Sequence, residues 1–491
     1  MPDRSVFFAE LAWLNVSSGS TSGSSNGPRA GAPGSPPSEW SQPSNSSIEV
    51  TKRSDGSDVV RGVVIEVEGE RITGVRSGVA EAPPGAAVLR GLTLPGLANA
   101  HSHAFHRALR GRTHSGTGSF WTWREQMYSV AERLDPDTYY SLARAAYGEM
   151  ATAGMTSVGE FHYVHHGPDG VPYADPNAMG KALIASAKDA GVRLTLLDSI
   201  YLRGGLADDG AEIPLNPVQR RFSDGGRKQW VERVSGLDES PTVKVGAAIH
   251  SVRSAYPAAM EDVSEWAAAR CAVVHAHVSE QPAENAQCLA RYGVTPTRLL
   301  AEHDVLGERF TAVHATHLTS ADILAYGTAR STCCFCPTTE RDLADGIGPS
   351  GALRSAGARL SLGSDSHAVI DLFEEARSVE LDERLQSHRR GNHDVASLAT
   401  MATANGHACL GWHDAGRLET GALADFITVG LDSVRLSGTA PDDALAAVIF
   451  AGSASDVHHV VVGGTVIVDN GTHRSIDVAA ELARSIAAVT A

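Results

Sequence analysis

Between Thr93 and Ser366 the chain repeats one pattern eight times: a short apolar run, then a segment that in most cases carries apolar residues at helical spacing. The runs cover residues 93–103, 156–163, 193–201, 242–250, 271–280, 310–317, 332–337 and 360–366. Helices are expected between them, among others over 137–153, 177–190, 258–270 and 284–302, and Gly154 and Gly191 stand just past two of these, where a left-handed residue ends a helix. Eight strands alternating with helices predict an α/β fold of the (β/α)8 TIM-barrel type. An open doubly wound sheet is the alternative, but no Gly-x-Gly-x-x-Gly follows the first run.

The pattern outside the barrel is different. Residues 5–14 read as a strand, and 62–67 with 71–75 read as a hairpin around Glu68-Gly69-Glu70. Past the barrel, 416–429 and 458–468 are again strand-like, the latter with a Gly463-Gly464 turn, and 479–489 reads as a helix. A chain of 491 residues is too long for one ordinary core. The expected domains are therefore a composite β-sandwich from both chain ends (1–90 and 415–475), a barrel over 91–414 and a C-terminal helix over 476–491. Residues 17–47, rich in Ser, Gly, Pro and Asn, are expected to form a disordered insertion.

Charge and termini narrow the function classes. A formal charge of −16 disfavours nucleic acid and acidic membrane surfaces as partners, so an anionic substrate needs a local basic pocket. No apolar run reaches bilayer length, and the start, Met-Pro-Asp-Arg-Ser-Val-Phe-Phe, lacks a secretory pattern; a cytoplasmic location is expected. The six cysteines show no zinc-knuckle spacing, and Cys333, Cys334 and Cys336 read as small buried hydrophobes.

In a (β/α)8 barrel, functional groups gather at the carboxyl ends of the strands. Here the first run ends in His101-Ser-His103, the fifth in His275-Ala-His277-Val-Ser-Glu280, the sixth in His314-Ala-Thr-His317 and the eighth in Ser364-Asp365-Ser366-His367. Two imidazoles from the first strand, one from the fifth and a carboxylate from the eighth make an N3O set for one divalent metal ion, zinc by default, with room for water. The absence of a thiolate fits a catalytic centre, where the metal lowers the pKa of its water. Glu280 is placed to give a proton to a departing nitrogen, Asp365 to accept one from water, and His314 to orient the nucleophile.

These residues resemble the amidohydrolase superfamily, whose pattern is His-x-His on strand one, His on strands five and six, Asp on strand eight and a flanking β-sandwich. With no lysine positioned to bridge two metals, the chain resembles the mononuclear deaminase branch. Within it, the stretches His101-Ser-His-Ala-Phe, Ser119-Phe-Trp-Thr-Trp-Arg-Glu-Gln-Met-Tyr128, Gly154-Met-Thr-Ser-Val-Gly-Glu-Phe-His-Tyr-Val-His-His166, His250-Ser-Val-Arg253, Ser279-Glu-Gln281, Val313-His-Ala-Thr-His317 and Gly363-Ser-Asp-Ser-His367 narrow the resemblance to enzymes that deiminate a small dicarboxylate. The resemblance implies metal ligation by His101, His103, His277 and Asp365, proton transfer by Glu280, His314 and Asp365, and substrate binding by Arg124, Tyr163, His250 and Arg253. Guanidinium groups pair bidentately with carboxylates, which suits Arg124 and Arg253 to a dianion. The chain departs from the resemblance at His106, where glutamine is expected; His106 either contacts substrate in its place or titrates and adds a pH dependence. A homodimer is in keeping with the family. The alternatives are a related deaminase acting on guanine or another aminated heterocycle, and a catalytically silent barrel that binds a partner. A serine hydrolase is disfavoured, because Ser364 and Ser366 lack a Gly-x-Ser-x-Gly elbow.

Overall fold

The computed structural model describes residues 4–14, 58–114 and 120–491. The apolar runs form eight parallel strands, Leu97–Ser102, Met155–His162, Arg193–Ile200, Val243–Ser251, Val274–Val278, Phe310–His314, Thr332–Phe335 and Arg359–Leu362, each paired with its neighbour in the chain. They are barrel strands one to eight below. Strands two and three are buried at every position, as parallel strands covered on both faces must be. The ring closes between strand one and the end of strand eight: the N–H groups of Ser364 and Asp365 donate to the His101 carbonyl (3.1 and 3.0 Å). The Asn99 side chain also bonds the hydroxyl and the N–H of Ser364 (2.7 and 2.9 Å). Closure itself thus sets Asp365 beside His101.

Local chemistry sets the helix ends. Asp135 accepts the Thr138 N–H (2.8 Å) to cap Pro136–Thr152, and left-handed Gly191 (φ 73°) ends Ala178–Ala190. Residues 284–302 are two helices and not one, Pro282–Tyr292 and Pro296–Glu302, because Gly293 (φ 74°) stops the first and Thr295 with Pro296 starts the second. Cys271 does not begin strand five; it is the left-handed cap (φ 54°) of Pro257–Arg270.

Both chain ends build a second sheet. Its order is Thr472–His473, Thr465–Asp469, Val457–Val462, Phe426–Val429, Ala87–Pro95, Arg4–Trp13, Val59–Glu68 and Arg71–Arg76. Amino- and carboxyl-terminal strands meet in the middle, where Ala87–Pro95 pairs parallel with Arg4–Trp13 and antiparallel with Phe426–Val429. The expected run 93–103 is therefore two strands in two sheets, and the flanking sheet extends to Pro95, past the boundary expected at residue 90. The chain crosses at Gly96, where a Cβ would lie 2.2 Å from Thr156 Oγ1, so no larger residue fits. Residues 17–47 lie outside the described residues. The closing helix, Val478–Thr490, packs on Pro136–Thr152. Among the described residues no helix is long and apolar enough to cross a membrane.

A buried ion pair joins the two sheets. Arg193, first residue of strand three, donates to both oxygens of Asp425 (2.7 and 3.2 Å), and both side chains are fully buried. Asp425 also accepts the Gly463 N–H (2.7 Å), so one carboxylate ties barrel and flanking sheet together. Changing Asp425 to Ala leaves the guanidinium with the Pro241 carbonyl, the half-exposed Glu70 and the face of the Trp412 ring. The expected loss is about 3–5 kcal/mol of stability, read as a lower denaturant midpoint.

Candidate metal centre and active site

His101 and His103 sit two residues apart at the end of strand one, His277 at the end of strand five and Asp365 three residues past strand eight. Their ligand atoms all lie within 4.8 Å of one another, and all four residues are buried. The Nε2 atom of His277 is 3.1 Å from that of His101 and 3.4 Å from that of His103. Asp365 Oδ1 lies 3.3 and 3.5 Å from Nε2 of His101 and His103.

The tautomers say what this cluster is for. The Nδ1–H of His103 donates to the Phe161 carbonyl (2.9 Å) and that of His277 to the His250 carbonyl (2.8 Å). A carbonyl only accepts, so in each neutral ring the Nε2 atom carries a lone pair. Two lone pairs facing each other across 3.4 Å repel unless a cation sits between them. Burial holds all three imidazoles below their ordinary pKa and hence neutral. Burial pushes Asp365 the other way, but its hydrogen bond to His101 and the nearby charges hold its carboxyl below the usual range. Three neutral imidazoles, two of them oriented by backbone carbonyls, and a carboxylate fit a divalent cation.

A second cluster, His162, His165 and Asp198, fails the same test. His165 Nε2–H donates to the Ser199 carbonyl (2.8 Å), which leaves its Nδ1 to accept from His162 Nε2–H (3.2 Å). Asp198 is taken by both guanidinium nitrogens of Arg233 (2.8 and 2.8 Å) and by the Trp230 N–H (3.0 Å). No set of free lone pairs converges there.

Around the first cluster the backbone is strained. Ser279, His314, Ala315, Asp365 and His367 have φ of 53°, 68°, 50°, 40° and 57°, a region that residues other than glycine rarely occupy. All five stand at or just past barrel strand ends, where the turn re-aims side chains towards the cluster.

Glu280 and His314 lie beside the cluster. Glu280 is buried, its Oε1 3.8 Å from His314 Nε2 and its Oε2 3.8 Å from Arg253 Nη2. Burial raises the Glu280 pKa, opposed by the charges of His314 and Arg253, which suits a carboxyl that must carry a proton. His314 Nε2 lies 3.7 Å from Asp365 Oδ2, between the two carboxylates. The strand-five histidines are now distinguished: His275 Nε2–H donates to the Cys409 carbonyl (3.0 Å), away from the cluster. His317 likewise turns away and bonds the Asp345 carbonyl (2.7 Å).

A cavity opens over the cluster, and Arg124, Tyr163, His250, Arg253 and His106 all line it. Arg124 lies on the helix Phe120–Glu132, its guanidinium 5.7 Å from the Tyr128 ring centroid. Arg253 faces Glu284 (3.5 Å) as well as Glu280. His106 Nε2 pairs with the Tyr163 hydroxyl (3.0 Å), and burial pushes the His106 pKa down to about 3. Of the two alternatives for His106, substrate contact and titration, a neutral ring in the cavity wall is in keeping with the first.

Several residues escape a reading of the sequence. Gln219 Nε2 contacts the hydroxyls of Tyr128 (3.0 Å) and Tyr201 (2.9 Å) and the Gly204 carbonyl (3.0 Å), tying three walls of the cavity. Glu284 and Glu340 are buried beside Arg253 and His314. The one signal available was helical spacing: Glu284 stands four residues after Glu280 and Glu340 four after Cys336.

Comparison with known proteins shows the family of the chain. Residues 92–467 match the Amidohydrolase family. The chain is 35% identical over 401 residues to formimidoylglutamate deiminase of Pseudomonas aeruginosa, covering 79% of this chain and 87% of the relative. It is 29% identical over 451 residues to 8-oxoguanine deaminase of the same organism, covering 89% and 96%. A crystal structure of an amidohydrolase from Brucella melitensis superposes with a TM-score of 0.84 at 28% identity, over 99% of this chain and 100% of that one.

Proposed function

The chain belongs to the amidohydrolase family, and from that premise we propose that it hydrolyses N-formimidoyl-L-glutamate to N-formyl-L-glutamate and ammonia, a step of histidine degradation. The observation that carries this reading is the pair of guanidinium groups, Arg124 and Arg253, in the cavity over the metal cluster of an otherwise acidic protein. Two carboxylates on the substrate answer two guanidinium groups.

His101, His103, His277 and Asp365 would hold one divalent ion, zinc by default, which when bound lowers the pKa of a water and supplies hydroxide near neutral pH. Arg124 and Arg253 bind the carboxylates, and Tyr163, His250 and His106 shape the remaining wall. Asp365 accepts the proton of the attacking water while His314, 3.7 Å from it, orients the nucleophile. Glu280 gives its proton to the terminal nitrogen and the proton taken up by Asp365 follows it; as the new hydroxyl returns its proton to Glu280 the carbon–oxygen double bond forms, the carbon–nitrogen bond breaks, and that nitrogen leaves as ammonia. The low exposure of Glu280 and Asp365 keeps bulk water from competing for those protons. A cytoplasmic setting, with neither nucleic acid nor membrane as partner, is in keeping with the net charge of −16.

The aromatic walls, Trp123, Tyr128, Tyr201 and Phe222, together with the 8-oxoguanine deaminase relative, favour a flat purine as the second reading. Arg124→Met separates the two. With formimidoylglutamate its KM should rise about 10- to 150-fold, the worth of a charge-assisted hydrogen bond, at little cost in kcat. An unchanged KM would remove Arg124 from the carboxylate site. Arg253→Met should raise KM and also disturb kcat, because Arg253 faces Glu280.

A further inference from the structure

We infer that Glu340 is a positioning residue, one that fixes the ring orientation of His314 and keeps its Nδ1 as the hydrogen-bond donor; the inference rests on the role in proton transfer given to His314 above. Glu340 lies in the helix Pro337–Asp342, directly after barrel strand seven, and is buried. Its Oε1 is 3.3 Å from His314 Nδ1, and the same oxygen accepts the Cys336 N–H at 2.9 Å. Its backbone is fixed at both ends: the Glu340 N–H donates to the Cys336 carbonyl (3.0 Å), and the Asp345 N–H donates to the Glu340 carbonyl (2.8 Å). Among the described residues no arginine or lysine forms an ion pair with Glu340; its ion-pair partner is His314.

A carboxylate accepts hydrogen bonds and an imidazole can donate from either nitrogen, so Glu340 selects Nδ1 as the donor. That leaves Nε2 as the nitrogen facing Glu280 (3.8 Å) and Asp365 (3.7 Å). The backbone needs such a tether. His314 and Ala315 are both left-handed (φ 68° and 50°) at the end of strand six, and a flip of the ring would put carbon atoms where Nδ1 and Nε2 now stand. Glu340 stands to His314 as the outer carboxylate stands to the imidazole wherever a histidine must present one chosen nitrogen.

Glu340→Ala and Glu340→Gln together test this: alanine removes the acceptor that faces both the His314 Nδ1–H and the Cys336 N–H, whereas the amide oxygen of glutamine can still accept from both. A purely structural role predicts a lower Tm with kcat per metal-loaded enzyme unchanged. The positioning role predicts that in Glu340→Ala kcat is lower by about 10- to 100-fold with KM and metal content unchanged, and that Glu340→Gln recovers most of the loss. Side-chain 15N NMR of His314 gives a readout independent of substrate: a protonated, hydrogen-bonded Nδ1 in the wild type and in Glu340→Gln, and loss of that hydrogen bond in Glu340→Ala. Wild-type kcat in Glu340→Ala, a fall in metal content that accounts for the lost rate, or an unprotonated Nδ1 in the wild type would each overturn the inference. Absence of ammonia release from formimidoylglutamate by the wild type would overturn the substrate assignment, while the NMR result would still decide the role of Glu340.

Discussion

Glu280→Gln is expected to keep its metal and its affinity for substrate while kcat falls by about 10²- to 10⁴-fold, the usual worth of a positioned acid or base. The amide has the same shape and can still meet His314 and Arg253, which lie 3.8 Å from the two oxygens of Glu280, but it cannot deliver a proton. The pH profile carries a second expectation. Glu280 acts in its protonated form and burial raises its pKa, so the rate should decline as pH rises through that raised value. The decline belongs to Glu280 and should be missing from the residual activity of the glutamine variant. Steady-state kinetics across pH, with metal analysis of both proteins, checks each part. Near-wild-type turnover in the variant would remove Glu280 from the reaction.

His277→Ala should have an equally large effect by a different route. It takes one of three convergent imidazoles and leaves the others without the partner that closes the donor set. Bound metal should drop, and turnover should fall by more than the roughly 10- to 100-fold typical of changes to the outer partners of metal ligands. Stability gives an independent readout. An ion that binds only the folded chain stabilises it in proportion to the logarithm of its concentration over Kd, so chelation should lower the Tm of the wild type. It should leave the Tm of His277→Ala almost unmoved. A variant with full metal content and unchanged chelator sensitivity would show that His277 is not a ligand.

The convergence of His101, His103, His277 and Asp365 was legible in the sequence because each lies at the end of an apolar run, and a barrel brings all eight run ends to one face. His275 and His277 lie two apart and so on the same face of strand five; they differ in depth, His277 standing nearer the carboxyl end, while the Cys409 carbonyl claims His275. What could not be read depends on tertiary proximity. Glu340 sits in Pro-Thr-Thr-Glu-Arg-Asp, which reads as an ordinary acidic helix start, and only the fold brings it to His314. Gln219 is 91 residues from Tyr128 and gives no pattern with it. The passage from flanking sheet to barrel was invisible because Ala87–Pro95 and Leu97–Ser102 are both apolar and adjoin, with Gly96 alone marking the change of sheet. The behaviour of His106 was equally hidden. The sequence allowed it to titrate, whereas complete burial against Tyr163 and His103 keeps it neutral.

Ammonia release from N-formimidoyl-L-glutamate, 8-oxoguanine and guanine, measured side by side on the metal-loaded protein, tests the assignment most directly. A pocket built to pair two carboxylates leaves its guanidinium groups unmet by a purine, so kcat/KM for formimidoylglutamate should exceed that for either purine by about 10⁴-fold or more. Faster release from a purine, or none from formimidoylglutamate, would contradict it.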